Sequence, residues 1–304
     1  MSAQKKTTAP APHKSNTRES TRKKTGSTKS KSAGQSPHRT AHKRSASARR
    51  HKRAPSRQAL RIKRAFVAST ELRPMAQQLA TLRTPAAYAG VTNYARQHTG
   101  DAAGAAYLAL GHAYLLDRRF DEAATSLHQA RQASDALADY ADFLAARALH
   151  EAGNETAAEA LLHGFAQRYP DSIFNVEAPE LEAGVLLAMN DVAGAQRALD
   201  AGEHTASVDR PGYQLARAQL ALAKNQTAQA NTYFKQVLLD HPLSPEAEKA
   251  RAQLTVTGAG ATLTASELRS LGDAYYGAGR YSLAAEQYNS LSRLPGLSDS
   301  EHQS

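Results

Sequence analysis

The chain has 304 residues, with 38 Lys and Arg against 28 Asp and Glu, and a formal charge of +10. That length suits one large domain or two small ones. There is no Cys, which excludes a disulfide framework and a thiolate metal site. No apolar run approaches a membrane span, and no apolar segment follows the basic start as a secretory signal would require.

The charge is divided unevenly along the chain. Residues 1–64 hold 20 Lys and Arg and a single acid, Glu19, which gives +19 and leaves −9 for the remainder. This first segment contains no Phe, Trp or Tyr, and its only large apolar residues are Met1, Leu60 and Ile62. Such a composition buries too little surface to offset chain entropy, so a disordered basic tail is expected over 1–64 and a folded domain over 65–304. The cluster Arg49, Arg50, His51, Lys52, Arg53, extended by Arg61, Lys63 and Arg64, is a candidate contact for a polyanion, either nucleic acid or an anionic surface. No aromatic residue interleaves to stack on bases. This favours the plainer readings, a non-specific tail or coding sequence extended upstream of the true start. His38 and His42 have an i, i+4 spacing, but no helix is expected there to hold a metal.

Ordered structure is expected from about Ala65. Phe66-Val67-Ala68 leads into Ser69-Thr70, read as the cap of a helix through Leu79. Thr84 as cap with Pro85 at the first helical position starts the next helix, 86–98, which presents Tyr88, Val91 and Tyr94. A break at Thr99-Gly100 follows.

Within 107–130, Tyr107, Leu110, Gly111 and Tyr114 fall at i, i+3, i+4 and i+7, one face of a helix. After the polar break Asp117-Arg118-Arg119 and Phe120, a second stripe carries Ala123, Leu127 and Ala130. Neither helix can bury its stripe alone, so the two should close as an antiparallel hairpin, with the small residues Gly111 and Ala123 where the backbones approach most closely. Ala146 stands 35 residues after Gly111, followed by Leu149, Ala158, Leu162 and the closing Tyr169-Pro170. A third unit keeps only Ala183, Leu186, Ala195 and Leu199. A fourth has Ala218, Ala230, Phe234 and Pro242. The last unit, Leu271-Gly272 with Tyr275, then Gly279-Arg280-Tyr281, Ala284 and Tyr288, repeats the first pattern best. About 20 extra residues, including a Gly258-Ala259-Gly260 loop, separate it from the fourth.

The pattern aromatic-x2-Leu-Gly-x2-Tyr followed by Ala-x3-Leu resembles the tetratricopeptide repeat, with Tyr107 where that family usually has Trp. Five hairpins at a period near 35 predict an all-α fold, a right-handed superhelical solenoid whose concave groove takes a protein or peptide partner. No catalytic constellation, cofactor loop or metal cluster emerges, so none is expected. His112, His128, His150 and His163 read as partly exposed helix residues, and Glu155 with Glu159 as acids that complement a helix dipole. Tyr107, Tyr114, Tyr275, Tyr281 and Tyr288 fall at packing positions and read as core; a groove-facing Tyr stacking on a sugar ring is the alternative.

One further likeness narrows the context. The run Tyr233-Phe234-Lys235-Gln236-Val237-Leu238-Leu239-Asp240-His241-Pro242-Leu243-Ser244-Pro245-Glu246-Ala247 resembles the repeat-closing sequence in the helical N-terminal region of soluble lytic murein transglycosylases. Phe66-Val67-Ala68-Ser69, Leu72-Arg73-Pro74-Met75-Ala76 and Arg83-Thr84-Pro85-Ala86-Ala87-Tyr88-Ala89-Gly90 are similar to the opening of that region. The resemblance covers about 65–297 and implies a scaffold of that lineage or a truncated gene product, with peptidoglycan glycan as ligand and the periplasm or envelope as its place. The missing signal peptide would instead place the chain in the cytoplasm. In that family a lysozyme-like domain with the catalytic Glu follows the superhelix; here the chain stops at Ser304, so no catalytic residue carries over. The expectation is a non-catalytic scaffold in cell-wall glycan handling, or a generic repeat adaptor that binds a peptide, with an enzyme the third option.

Overall fold

The computed structural model describes residues 70–259 and 263–294. The chain divides into two units, 1–52 and 53–304, and every described residue belongs to the second. The basic cluster from Arg49 to Arg64 and the opening Phe66-Val67-Ala68-Ser69 lie outside the described residues. Among the described residues 14 α-helices follow one another with no strand. They are α1 (Leu72–Leu82), α2 (Pro85–Gln97), α3 (Gly100–Leu116), α4 (Phe120–Ala133), α5 (Ala138–Glu151), α6 (Glu155–Leu162), α7 (Phe165–Arg168), α8 (Ala178–Ala188), α9 (Val192–Gly202), α10 (Pro211–Ala223), α11 (Thr227–Asp240), α12 (Pro245–Val256), α13 (Ala265–Gly277) and α14 (Tyr281–Ser292). Consecutive helices pack in pairs, α3 on α4, α5 on α6, α8 on α9, α10 on α11 and α13 on α14. The second helix of a pair also packs on the next element, as α4 does on α5 and α11 on α12. This is an all-α solenoid.

Local chemistry sets the helix starts. The Thr84 hydroxyl accepts the Ala87 N–H at 3.3 Å, and Pro85 fills the first position of α2. The first helix departs from its expected bounds. It begins at Leu72 behind Glu71, which makes no side-chain cap, and runs on to Leu82. Its end is set by Arg83, whose left-handed backbone (φ 45°) turns the chain. From there the Arg83 guanidinium reaches Asp117 at 2.7 Å. Asp117 also accepts the Tyr88 hydroxyl at 2.8 Å. Tyr88 stacks on Tyr114 with ring centroids 4.6 Å apart, and Arg119 lies over both rings. The polar break between α3 and α4 is therefore where α1 and α2 fasten to the first hairpin.

The small residues act differently from one another. A Cβ on Gly111 would meet the Leu127 side chain, with Cδ2 only 2.7 Å away. The close approach at Gly111 is thus to Leu127, and not to Ala123, which is fully buried in its own right. The second helix of the second unit is also not continuous. Gly164, at φ 65°, interrupts it between α6 and α7. The interruption lets Phe165 return to the core at 2% exposure. Tyr169 then donates its hydroxyl to Asp142 at 2.6 Å.

The spacer before the last unit contains a helix. The Ser244 hydroxyl accepts the Ala247 N–H at 3.1 Å, Pro245 opens α12, and Ala247, Ala250 and Leu254 bury its inner face. α12 thus takes the place of a repeat's first helix, a role hidden in sequence by its short, Ala-based stripe.

A polar staple closes each of the first two units by tying its first helix to a serine beyond its last. Ser134 donates to Asp101 at 2.5 Å and Ser172 to Asp139 at 2.8 Å, each across 33 residues. Each serine also accepts a backbone N–H, from Ala136 and Phe174. Asp139 is 1% exposed and its other oxygen has no partner among the described residues. Ser172→Ala should leave this carboxylate stranded and cost about 1–3 kcal/mol, read as a lower urea midpoint. An unchanged midpoint would show that the bond carries nothing.

Candidate functional site

The residues singled out for repeat packing mostly lie inside the hairpins. Ala123, Ala146, Ala158, Ala218 and Ala230 are fully buried, and Ala284 and Tyr275 nearly so. Gly272 is buried where a Cβ would come within 2.8 Å of Tyr288 Cζ. Tyr107, Tyr114 and Tyr288 are half-buried, and Tyr288 donates its hydroxyl to Asp273 at 2.7 Å. Tyr281 is a correction. As the first residue of α14 it is 64% exposed and meets Tyr276 edge-on at 5.4 Å, so it is not core.

With these residues turned inward, the outward faces of the first helices remain for function. An open groove of about 810 Å³ crosses α5, α8, α10 and α12. Its floor is built from small and aliphatic residues, Gly184, Ala188, Ala216 and Leu187 among them, and it has no aromatic lining. Charged side chains run along it. Arg147 on α5 pairs with Glu177 at 2.7 Å. Arg210 forks onto Glu180 at 3.1 and 3.2 Å and also approaches Glu177 at 3.6 Å. Each of these pairs links one unit to a neighbouring one.

Gly212 explains how Glu180 fits. A Cβ there would lie 2.7 Å from the Glu180 carboxyl carbon. With no Cβ at Gly212, that carboxylate rests against the first turn of α10, whose unpaired N–H groups favour negative charge. Burial raises the Glu180 pKa above its ordinary value, partly opposed by Arg210 and reinforced by the charges of Glu177 and Glu246. Glu246 and the exposed Lys249 extend the charged line onto α12.

The histidines lie apart from one another. His150 is half-buried beside the groove and pairs with Glu155 at 2.7 Å. His112 and His128 are exposed on α3 and α4, and His163 sits at the end of α6, 3.5 Å from Glu159. Among the described residues no cluster of three or more His, Asp or Glu could hold a metal ion. No described helix is long and apolar enough to cross a membrane. Sequence reasoning named none of the groove's charged residues. The signal available was the recurrence of Arg and Glu about 30 residues apart, as in Arg147 with Glu177 and Glu180 with Arg210.

Paired helices stacked in series with an open, charged groove define a helical-repeat scaffold. A family model for the tetratricopeptide repeat matches residues 140–172 and 212–244. These spans hold most of α5 with α6 and α7, and α10 with α11, and each ends on a serine whose hydroxyl accepts a backbone N–H just beyond it, Ser172 from Phe174 and Ser244 from Ala247. No curated protein matches the chain.

Proposed function

We propose that the chain is a non-catalytic adaptor that binds an extended segment of a protein partner in the groove across α5, α8, α10 and α12. The observation that supports this most is the groove itself. It crosses four successive inner helices, has a small-residue floor on which a peptide backbone can lie, and carries both signs of charge along one line. Charges so arranged select partners by electrostatic register more than by bulk affinity.

The cell-wall reading is the finer alternative. It rests on the phrase-level likeness to lytic murein transglycosylases, and the residues of the central phrase have structural duties. Phe234, Val237 and Leu238 are buried in α11, and Ser244 caps α12. A glycan groove would usually offer an aromatic platform, and this one does not. A basic arm over 1–64 that contacts polyanions also remains a proposal, tested by the salt dependence of DNA binding.

A peptide library screened against the full chain should yield binders whose affinity drops at least about tenfold in Gln219→Trp and in Lys249→Glu. Both positions are exposed, so the melting temperature should not change. Binders that ignore both substitutions would place the site elsewhere. Co-sedimentation with purified peptidoglycan, lost in the same variants, would favour the glycan reading instead.

A further inference from the structure

A crevice opens over the first helix of a pair, between its partner and the helix that precedes it. It measures about 300 Å³ over α3, between α2 and α4, and about 180 Å³ over α10, between α9 and α11. Over α8, between the α6–α7 segment and α9, it reaches about 570 Å³. The wide crevice is the one beside the interruption at Gly164, which itself contributes to the lining. That lining falls between Glu159 and Thr205, within the described residues, and shares no residue with the groove.

One repeat position lines all three crevices, the residue just before the small one of the first helix. It is Leu110 before Gly111, Glu182 before Ala183 and Arg217 before Ala218. Leu110 is buried and needs no partner. Arg217 donates to the Tyr233 hydroxyl at 3.1 Å and lies over the same ring. Glu182 is half-buried and makes no hydrogen bond or ion pair among the described residues. Burial raises its pKa, opposed by the charge of His163 and reinforced by that of Glu159. The other acids of the lining have cations of their own, Glu159 facing His163 at 3.5 Å and Asp191 facing Arg197 at 3.9 Å. Asn175 adds a second acceptor to the lining. Its amide nitrogen donates to the Tyr169 and Pro170 carbonyls at 2.9 and 3.1 Å, and its own carbonyl oxygen is buried without a partner among the described residues. Acceptors held out of water without donors are costly, and a carboxylate more so than an amide. What this crevice lacks is a donor that carries positive charge.

We propose that the crevice over α8 binds a small organic cation, an ammonium or guanidinium on a short aliphatic stem. The head donates to Glu182, and the stem lies on the apolar wall of Ala178, Pro179, Leu186 and Ala198. The volume is that of a small-molecule site, more than one side chain of a protein partner would fill. Because the groove contributes nothing to it, the site stands or falls independently of the adaptor reading.

Calorimetry on the full chain compares butylguanidinium with butylurea, which has the same stem and shape without the charge. Butylguanidinium should bind saturably at one site and raise the melting temperature, and butylurea should bind far more weakly. Glu182→Gln should weaken butylguanidinium about tenfold or more. Ala201→Trp, at an exposed residue of the lining, should block it. Without any ligand, Glu182→Leu, which places there the residue type of Leu110, should raise the melting temperature, because it removes a charge that the fold leaves unpaired. Butylguanidinium binding that is absent, matched by butylurea or indifferent to Glu182→Gln would overturn the site. A lower melting temperature in Glu182→Leu would overturn it too, since the carboxylate would then serve the fold. N-acetylarginine amide carries the same head on a peptide backbone; tighter binding than butylguanidinium would overturn the small-molecule assignment in favour of a partner's arginine.

Discussion

Gly111→Leu should destabilise the folded chain by about 1–3 kcal/mol, visible as a lower urea midpoint with an unchanged slope. The Gly111 backbone lies directly under Leu127, where even a methyl group would come within 2.7 Å of Cδ2. Overpacking must therefore push Leu127, which is fully buried, out of its rotamer or separate α3 from α4. The gain in helix propensity on removing a glycine, up to about 1 kcal/mol, only partly offsets this. Gly277→Ala is the matched control. Nothing lies within 4 Å of a Cβ at that position, so it should be neutral or slightly stabilising. The double variant Gly111→Leu with Leu127→Ala should recover part of the loss, because the two sites couple through one contact. Strict additivity would mean that the clash is not the cause.

Arg210→Met should have the second large effect, and one that depends on pH. Near pH 7.5 it removes both hydrogen bonds to Glu180 and leaves a carboxylate that is 15% exposed facing Glu177 and Glu246. The expected cost is about 1–3 kcal/mol, reduced from that of a fully buried pair because Arg210 is itself 35% exposed. The pH response follows from the direction of the Glu180 shift. Burial places its folded-state pKa above the unfolded value. As pH falls through the folded pKa, the native state takes up a proton before the unfolded chain does, and stability from this group rises across that window. Without Arg210 the opposing influence is lost and the folded pKa climbs further. The deficit against the parent chain should then shrink between pH 7.5 and about 5, followed by urea unfolding at each pH. A deficit constant across that range would show that lost packing, and not the stranded charge, is responsible.

Much of the fold could be read from particular residues. Thr84-Pro85 announced α2 because a hydroxyl cap and a proline at the first position act within one turn. The stripes through Gly111, Leu127, Ala146, Ala158, Ala218 and Ala230 announced paired helices because helical spacing alone brings those residues to one face. The misreadings occurred where the decisive partner was remote. Gly164 splits α6 from α7 so that Phe165 can return to the core, and nothing local to Gly164 reveals this. Tyr281 shares the repeat pattern of the packed tyrosines, yet its place at the first turn of α14 turns the ring outward beside Tyr276.

The sequence by itself determined the all-α class, the repeat period and the separation of a basic first segment from an acidic remainder. Periodicity and net charge are properties of the chain that short-range geometry converts directly into structure. Only the tertiary structure decided which residues face the groove and how the last hairpin joins the stack. Arg147 meets Glu177, and Glu180 meets Arg210 over Gly212, across turns whose geometry sets the pairing. The final hairpin joins α11 and α12 in one buried apolar cluster, with the ion pairs Lys235–Glu267, Arg280–Glu248 and Arg251–Glu286 around it. Both depend on how rigid helices stack, and stacking is fixed by distances between units that no local pattern encodes.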